Sequence, residues 1–154
     1  MDPRPWLLRH VFAHVWRLTR GLLMGVRGVV LDSRDQVLLV RHTYVAGWHL
    51  PGGGVEIGES AVAALARELR EEANLRLTAP AVLHGVFHHP QFWKGDHVAV
   101  YVVRGFVQDG APRPTREIAE TGFFAVDELP ADTTPATRRR LAEVLGGAAP
   151  AERW

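Results

Sequence analysis

The chain has 154 residues, 47% of them hydrophobic, which suits one domain with a buried core. A formal charge of +1 at pH 7 gives no electrostatic footprint of a general nucleic-acid binder, so no nucleic-acid polymer is expected as partner, whereas a small anionic ligand remains open. With no cysteine, disulfides, thiolate zinc sites and a cysteine nucleophile are excluded, and any metal must sit on carboxylate or imidazole.

Residues 6–22 carry Leu8, Val11, Phe12, Val15, Leu18 and Leu22 at helical spacing, with Arg9, His10, His14, Arg17 and Arg20 on the remaining surface. This predicts an N-terminal amphipathic helix over residues 1–22. Its stripe would pack on the domain or on a second copy, giving a homodimer; a basic helix on a membrane surface is the alternative. The same arginines and histidines interrupt every apolar run before it makes a secretory signal, and no segment reaches the roughly 20 apolar residues of a membrane span, so a cytoplasmic protein is the default.

Two short β-rich runs follow at residues 26–31 and 37–42, separated by the turn-like Asp32-Ser33-Arg34-Asp35, and together they predict a hairpin. Residues 47–54, Gly-Trp-His-Leu-Pro-Gly-Gly-Gly, are crowded with residues that permit or fix unusual backbone angles, so this loop should pass close to something. A helix is expected from Ser60, a plausible N-cap, to Ala73. Strands are expected at residues 82–88, 97–107 and 122–126, with a loop holding Pro90 and Gly95 between the first two. A helix near residues 135–145 and a mobile tail over residues 147–154 complete the chain. Strands on both sides of a central helix suggest a mixed sheet between helices, in one domain over residues 23–146.

On a helical wheel Glu68, Glu71 and Glu72 share one narrow sector, because spacings of three and four bring side chains together. Val62, Leu65, Ala66, Leu69 and Ala73 form the neighbouring apolar stripe, and only Ala61 and Ala64 precede the carboxylates on their own face. Like charges so placed destabilise a helix by a few tenths of a kcal/mol per pair, which a bound cation would offset; a solvated acidic face is the bland alternative. A hard divalent cation such as Mg²⁺ prefers oxygen ligands and shares its coordination between carboxylates and substrate phosphates.

Gly53, five residues, Glu59, seven residues, then Arg67-Glu68-Leu69-Arg70-Glu71-Glu72-Ala73-Asn74-Leu75 resembles the Nudix box, the signature of the Nudix hydrolases, over 23 residues with fixed spacing. Residues 48–53 and 117–130 also resemble the family, and with the early strands the similarity spans roughly residues 25–145. The resemblance implies an α/β fold, an α/β/α sandwich with a mixed central sheet, and Mg²⁺-dependent (Mn²⁺ being the second choice) hydrolysis of a nucleoside diphosphate linked to another moiety, such as a nucleotide sugar, an ADP-ribose-like compound or a nucleoside triphosphate. It makes Glu68, Glu71 and Glu72 metal ligands, one of them a candidate base; Glu59 an aid to the metal shell; Arg67 the residue that orients the glutamates; and Gly53 the point where the backbone approaches the metal. Arg27, Trp48, Gly52, Gly53 and Phe92 are the candidate substrate contacts.

Asn74 departs from the family, which usually has glycine there; asparagine is the next most tolerated residue in a left-handed helix cap, so the turn should survive. Glu117 is the candidate catalytic carboxylate from outside the box, with Glu120 its rival and an ordinary exposed acid the bland reading of both. His42, His49, His84, His88, His89 and His97 match no compact zinc spacing, which favours structural or substrate-contacting roles. Pro90 is a weak pointer, by analogy, to ADP-ribose cleavage. The competing class is a binding or regulatory protein that keeps the Nudix fold without turnover.

Overall fold

A computed structural model describes residues 21–91 and 93–154. The predicted N-terminal helix, and any dimer built on it, therefore lies outside the described residues save for Gly21 and Leu22, which are not helical. The elements in chain order are β1 (Leu23–Val30), β2 (Val37–His42), β3 (Trp48–His49), α1 (Ala61–Ala73), β4 (Leu75–Leu77), β5 (Val82–His88), β6 (Asp96–Val103), β7 (Phe106–Gln108), β8 (Ile118–Phe124), a 3₁₀ turn (Val126–Glu128) and α2 (Pro135–Gly146).

The strands divide among three sheets. In a mixed sheet ordered β1-β6-β5, β1 runs parallel to β6 from Leu23 opposite Asp96 to Val30 opposite Val103, and β5 runs antiparallel to β6. β2 lies between β3 and β8 in an antiparallel sheet, and β4 pairs with β7. The expected β1–β2 hairpin does not form. Asp32 does turn the chain, its Oδ1 accepting the N–H groups of Arg34 and Gln36 and its own N–H donating to Gln36 O, but the pairing stops at one bridge, Leu31 to Val37. Both edges of β2 are taken by β3 and β8, so β1 finds its partner in β6.

Alternation along the strands explains why helices cover both faces. Val26, Val30, Leu38, Ala99, Tyr101 and Val103 pack with Leu65, Leu69 and Ala73 of α1. Their neighbours Val29, Leu31, Val37, Leu39, Val98 and Val100 point the other way, to Phe87, Trp48 and Leu141 of α2. Each fully buried leucine on α1 contributes about 1.5–3 kcal/mol by leaving water, so Leu65 and Leu69 anchor the helix despite its acidic neighbours. The apolar stripe is rotated from its expected place: Ala64 is buried, whereas Val62 is exposed.

α1 begins where expected, with Ser60 Oγ accepting the Ala63 N–H at 3.2 Å, and Asn74 caps its end at φ 55°. The predicted strand over residues 97–107 breaks after Val103, Gly105 passes so close to Ala79 that a side chain there would overlap it, and β7 pairs with the unforeseen β4. The last predicted strand starts at Ile118 and ends at Phe124, with Val126 already in the 3₁₀ turn.

The tail meets the sheet at β5. Glu152 O accepts the His88 N–H at 2.9 Å, and Trp154 N–H returns to His88 O at 3.1 Å, so the outer edge of β5 is paired. Arg140, fully buried on α2, lies 4.0 Å over the Phe87 ring, pairs with Glu143 and donates to Arg153 O at 3.1 Å. An aromatic residue and a buried cation hold a segment whose composition reads as loose.

Candidate active site

The glycine-rich loop is bound along β1. Val26 N–H donates to Gly53 O at 2.8 Å and Gly28 N–H to Pro51 O at 2.9 Å. Gly52 sits at φ 138° with its Cα against the Val26 carbonyl, so any side chain there would be both strained and overlapped. Gly53 packs its Cα against the Glu68 carboxylate, where a Cβ would overlap the oxygens. The close approach expected of this loop is therefore made to β1 on one side and to α1 on the other.

The carboxylates that share one sector of the wheel meet different surroundings. Glu72 is 8% exposed, and its Oε2 accepts the Gly52 N–H at 2.7 Å. Burial pushes its carboxyl up to about 7, against the pull of that hydrogen bond and of Arg27. Glu71 is 60% exposed and reaches Arg67 at 3.6 Å. Glu68 lies between them, its Oε1 accepting from Arg67 at 2.7 Å. Arg67 also donates to both oxygens of Glu59 at 3.0 Å and to Gly54 O at 2.9 Å. These charge-assisted bonds hold Glu59 below its usual range and the guanidinium above its own. Among the described residues no three of His, Asp and Glu converge as a ready metal cluster, because Arg67 takes Glu59, Glu68 and Glu71 for itself.

Arg27, a candidate substrate contact, is half-buried beneath the loop. It donates to the carbonyls of Leu50 and Gly52, and desolvation lowers its pKa. Trp48 is 6% exposed and meets Phe124 edge-on at 4.9 Å between ring centroids, a core residue with one edge in a cleft beside Pro112 and Arg113. Phe92 lies outside the described residues. Glu117 and Glu120 separate: Glu120 pairs with Arg41 at 3.4 Å, whereas exposed Glu117 has no side-chain partner among the described residues, and its charge reaches Glu72 and Tyr44.

Sequence reasoning singled out His42 and His49 but gave no sign that His42 lies next to Glu72. His42 Nε2 stands 4.0 Å from Glu72 Oε1, its Nδ1 is buried without a partner, and burial together with Arg27 brings its pKa down to about 4. Tyr44 and His49 flank that ring at 5.2 and 5.5 Å. The last residue of β2 gave no signal for this, since only the fold brings it to α1. Among the described residues the other histidines form hydrogen bonds rather than a metal site: His84 pairs with Glu143, His89 with Asp96, His88 with Lys94 O and His97 with Gly95 O.

The chemistry of the donors fits a hard divalent cation. They are carboxylate oxygens, and Glu72 is a buried acid whose ionised form a cation would favour. The family model described as NUDIX domain matches residues 21–145. The chain belongs to the Nudix family. A Bacillus subtilis (strain 168) relative named as a candidate 8-oxo-dGTP diphosphatase is 32% identical over 126 residues, covering 80% of each chain. A second from the same organism, named as a candidate ADP-ribose pyrophosphatase, is 34% identical over 128 residues, covering 78% of this chain and 60% of that one. The crystal structure of a MutT Nudix hydrolase from Burkholderia pseudomallei superimposes with a TM-score of 0.67 at 31% identity, covering 79% of this chain and 97% of that one. This Nudix protein is accordingly a pyrophosphohydrolase, of a family that uses divalent metal ions and small nucleotide substrates. No helix among the described residues is long and apolar enough to cross a membrane.

Proposed function

We propose that this Nudix enzyme hydrolyses a phosphoanhydride bond in a nucleoside diphosphate linked to another moiety, with Mg²⁺ or Mn²⁺ held by Glu68, Glu71 and Glu72, by the Gly53 carbonyl and with help from Glu59. The observation that carries the reading is Glu72, a carboxylate buried on α1, fixed by the Gly52 N–H and, among the described residues, left without a side-chain donor within hydrogen-bond distance. When bound, the cation supplies charge neutralisation of the diphosphate and Lewis-acid activation of the water.

The chain's own residues do the rest. Gly52 and Gly53, anchored on β1, hold the loop against Glu68 and Glu72 and keep bulk from entering between them. Arg67 holds Glu59, Glu68 and Glu71 together, and would keep Glu59 as its partner if Glu68 and Glu71 held a cation. Arg27 holds the loop carbonyls from beneath and partly offsets the charge of Glu72. Glu72 Oε2, which accepts from Gly52, would also face the cation, leaving Oε1 to take a proton from the attacking water, and Glu117, just before β8, would assist.

Relatives of similar identity are named for 8-oxo-dGTP and for ADP-ribose, which supports the reaction class and leaves the base and leaving group to assay. The test is a panel of nucleoside triphosphates including 8-oxo-dGTP, ADP-ribose and nucleoside diphosphate sugars, with Mg²⁺ and with Mn²⁺, reading phosphate-bearing products. Metal-dependent product that Glu72→Gln abolishes supports the proposal. Tight nucleotide binding with no product under either metal would instead make the chain a non-catalytic binder.

A further inference from the structure

The last turn of α1 and residues 109–115, between β7 and β8, enclose an open cleft of about 640 Å³, lined among others by Arg70, Glu71, Asn74, Gly110, Arg113 and Thr115. Its wall is fixed at both ends. At one end the Asn74 side-chain amide donates to the carbonyls of Asp109 and Gly110, while the Asp109 N–H returns to Asn74 O at 3.0 Å. At the other end Thr115 Oγ1 accepts the N–H groups of Glu117 and Ile118. A glycine at position 74 could adopt the same backbone angles but could not make the two side-chain bonds.

The charges in the cleft are not balanced internally. The Asp109 carboxylate is spent on Arg76, which donates to its two oxygens at 3.1 and 3.2 Å. Arg70 and Arg113 have no hydrogen-bond or ion-pair partner among the described residues. The one acid that remains is Glu71, already placed toward the cation. A guanidinium presents a planar fork of donors that matches phosphate oxygens, and two of them beside an ordered wall make an anion subsite.

We propose that this cleft receives a phosphoryl group of the substrate, with Arg70 and Arg113 as its binding residues and Asn74 as the positioning residue of its wall. Which substrate brings that group rests on the pyrophosphohydrolase reading; anion binding itself does not. The group could be the terminal phosphate of a nucleoside triphosphate or a phosphate of the bridging diphosphate, and the assay separates these.

Steady-state kinetics would compare wild type with Arg70→Gln, Arg113→Gln and Asn74→Gly on a nucleoside triphosphate and on ADP-ribose. The expected result is KM raised about 10-fold by loss of either arginine with kcat within about twofold, the scale of one charge-assisted hydrogen bond. Asn74→Gly should raise KM about threefold and speed amide exchange at Gly110, as expected from losing an ordering contact. A KM effect on the triphosphate alone assigns its terminal phosphate to the cleft; an equal effect on both assigns the bridge. Unchanged KM for both in the two arginine variants overturns the proposal even while turnover upholds the pyrophosphohydrolase reading. Should wild type turn over neither compound, inorganic pyrophosphate titrated without metal decides: amide shifts at Gly110 that Arg113→Gln removes support the subsite, and their absence from wild type overturns it.

Discussion

Glu72 on α1 and Glu143 on α2 are both buried carboxylates, on opposite faces of the same fold, and their surroundings differ in kind. Glu143 accepts from Arg140, from His84 and from the Ala151 N–H. Burial alone would raise its pKa, yet those donors bring it below the usual range. Glu72 has the Gly52 N–H, the field of Arg27 and a neutral histidine 4.0 Å away, and burial prevails. A buried acid with a full set of donors holds structure, whereas one left short of them is available to a ligand that brings positive charge. The first clasps the C-terminal segment to β5; the second faces the glycine loop.

Replacement of Glu72 should break the comparison most severely. Glu72→Gln is expected to lower kcat by about 10²- to 10⁴-fold, the range for losing a positioned acid–base group. It should also stabilise the metal-free protein, and only at higher pH. The folded pKa, about 7, lies above the unfolded value of 4.5, so the folded state binds the extra proton and wild-type stability falls as pH rises through that window. The variant has no such fall, and at pH 8 it should gain about 1 to 3 kcal/mol in denaturant unfolding, vanishing below pH 4.5. Equal effects at pH 4 and pH 8 would show that the carboxyl is not strained by burial.

Arg140→Met tests the opposite face. It leaves Glu143 buried without its guanidinium partner, which should cost about 3 to 5 kcal/mol of stability and loosen Trp154, read by unfolding and by tryptophan fluorescence, while KM stays unchanged in the folded enzyme. A smaller effect is expected of His42→Gln. The folded pKa of His42, about 4, lies below the unfolded 6.5, so wild-type stability is whole above pH 6.5 and declines as pH falls toward 4. The variant should show a shallower acid decline in melting temperature; an identical profile would mean that His42 titrates freely. Least affected in stability is Asn74→Gly, where two hydrogen bonds to a surface loop are lost and about 1 kcal/mol is expected from unfolding curves.

Local rules were legible and tertiary ones were not. Ser60 and Asn74 mark the ends of α1 because caps depend on neighbours in sequence, and the three glutamates share a sector because helical spacing requires it. A wheel gives an angle but not what covers it, so it set Glu71 and Glu72 side by side although the Gly52 loop buries one and solvent reaches the other. The sequence could not show that Arg27 also holds the loop carbonyls or that Trp48 packs edge-on against Phe124. The missing hairpin and the docked tail have one cause. Strand edges choose partners by what else the sheet leaves unpaired, and β6 and β5 lie far along the chain from β1 and from Trp154.

The most direct test is calorimetric titration of Mg²⁺ into wild type, Glu72→Gln and Glu143→Gln at pH 8. The account expects saturable binding to wild type and to Glu143→Gln and none to Glu72→Gln. Equal binding by all three, or none by wild type, would contradict it.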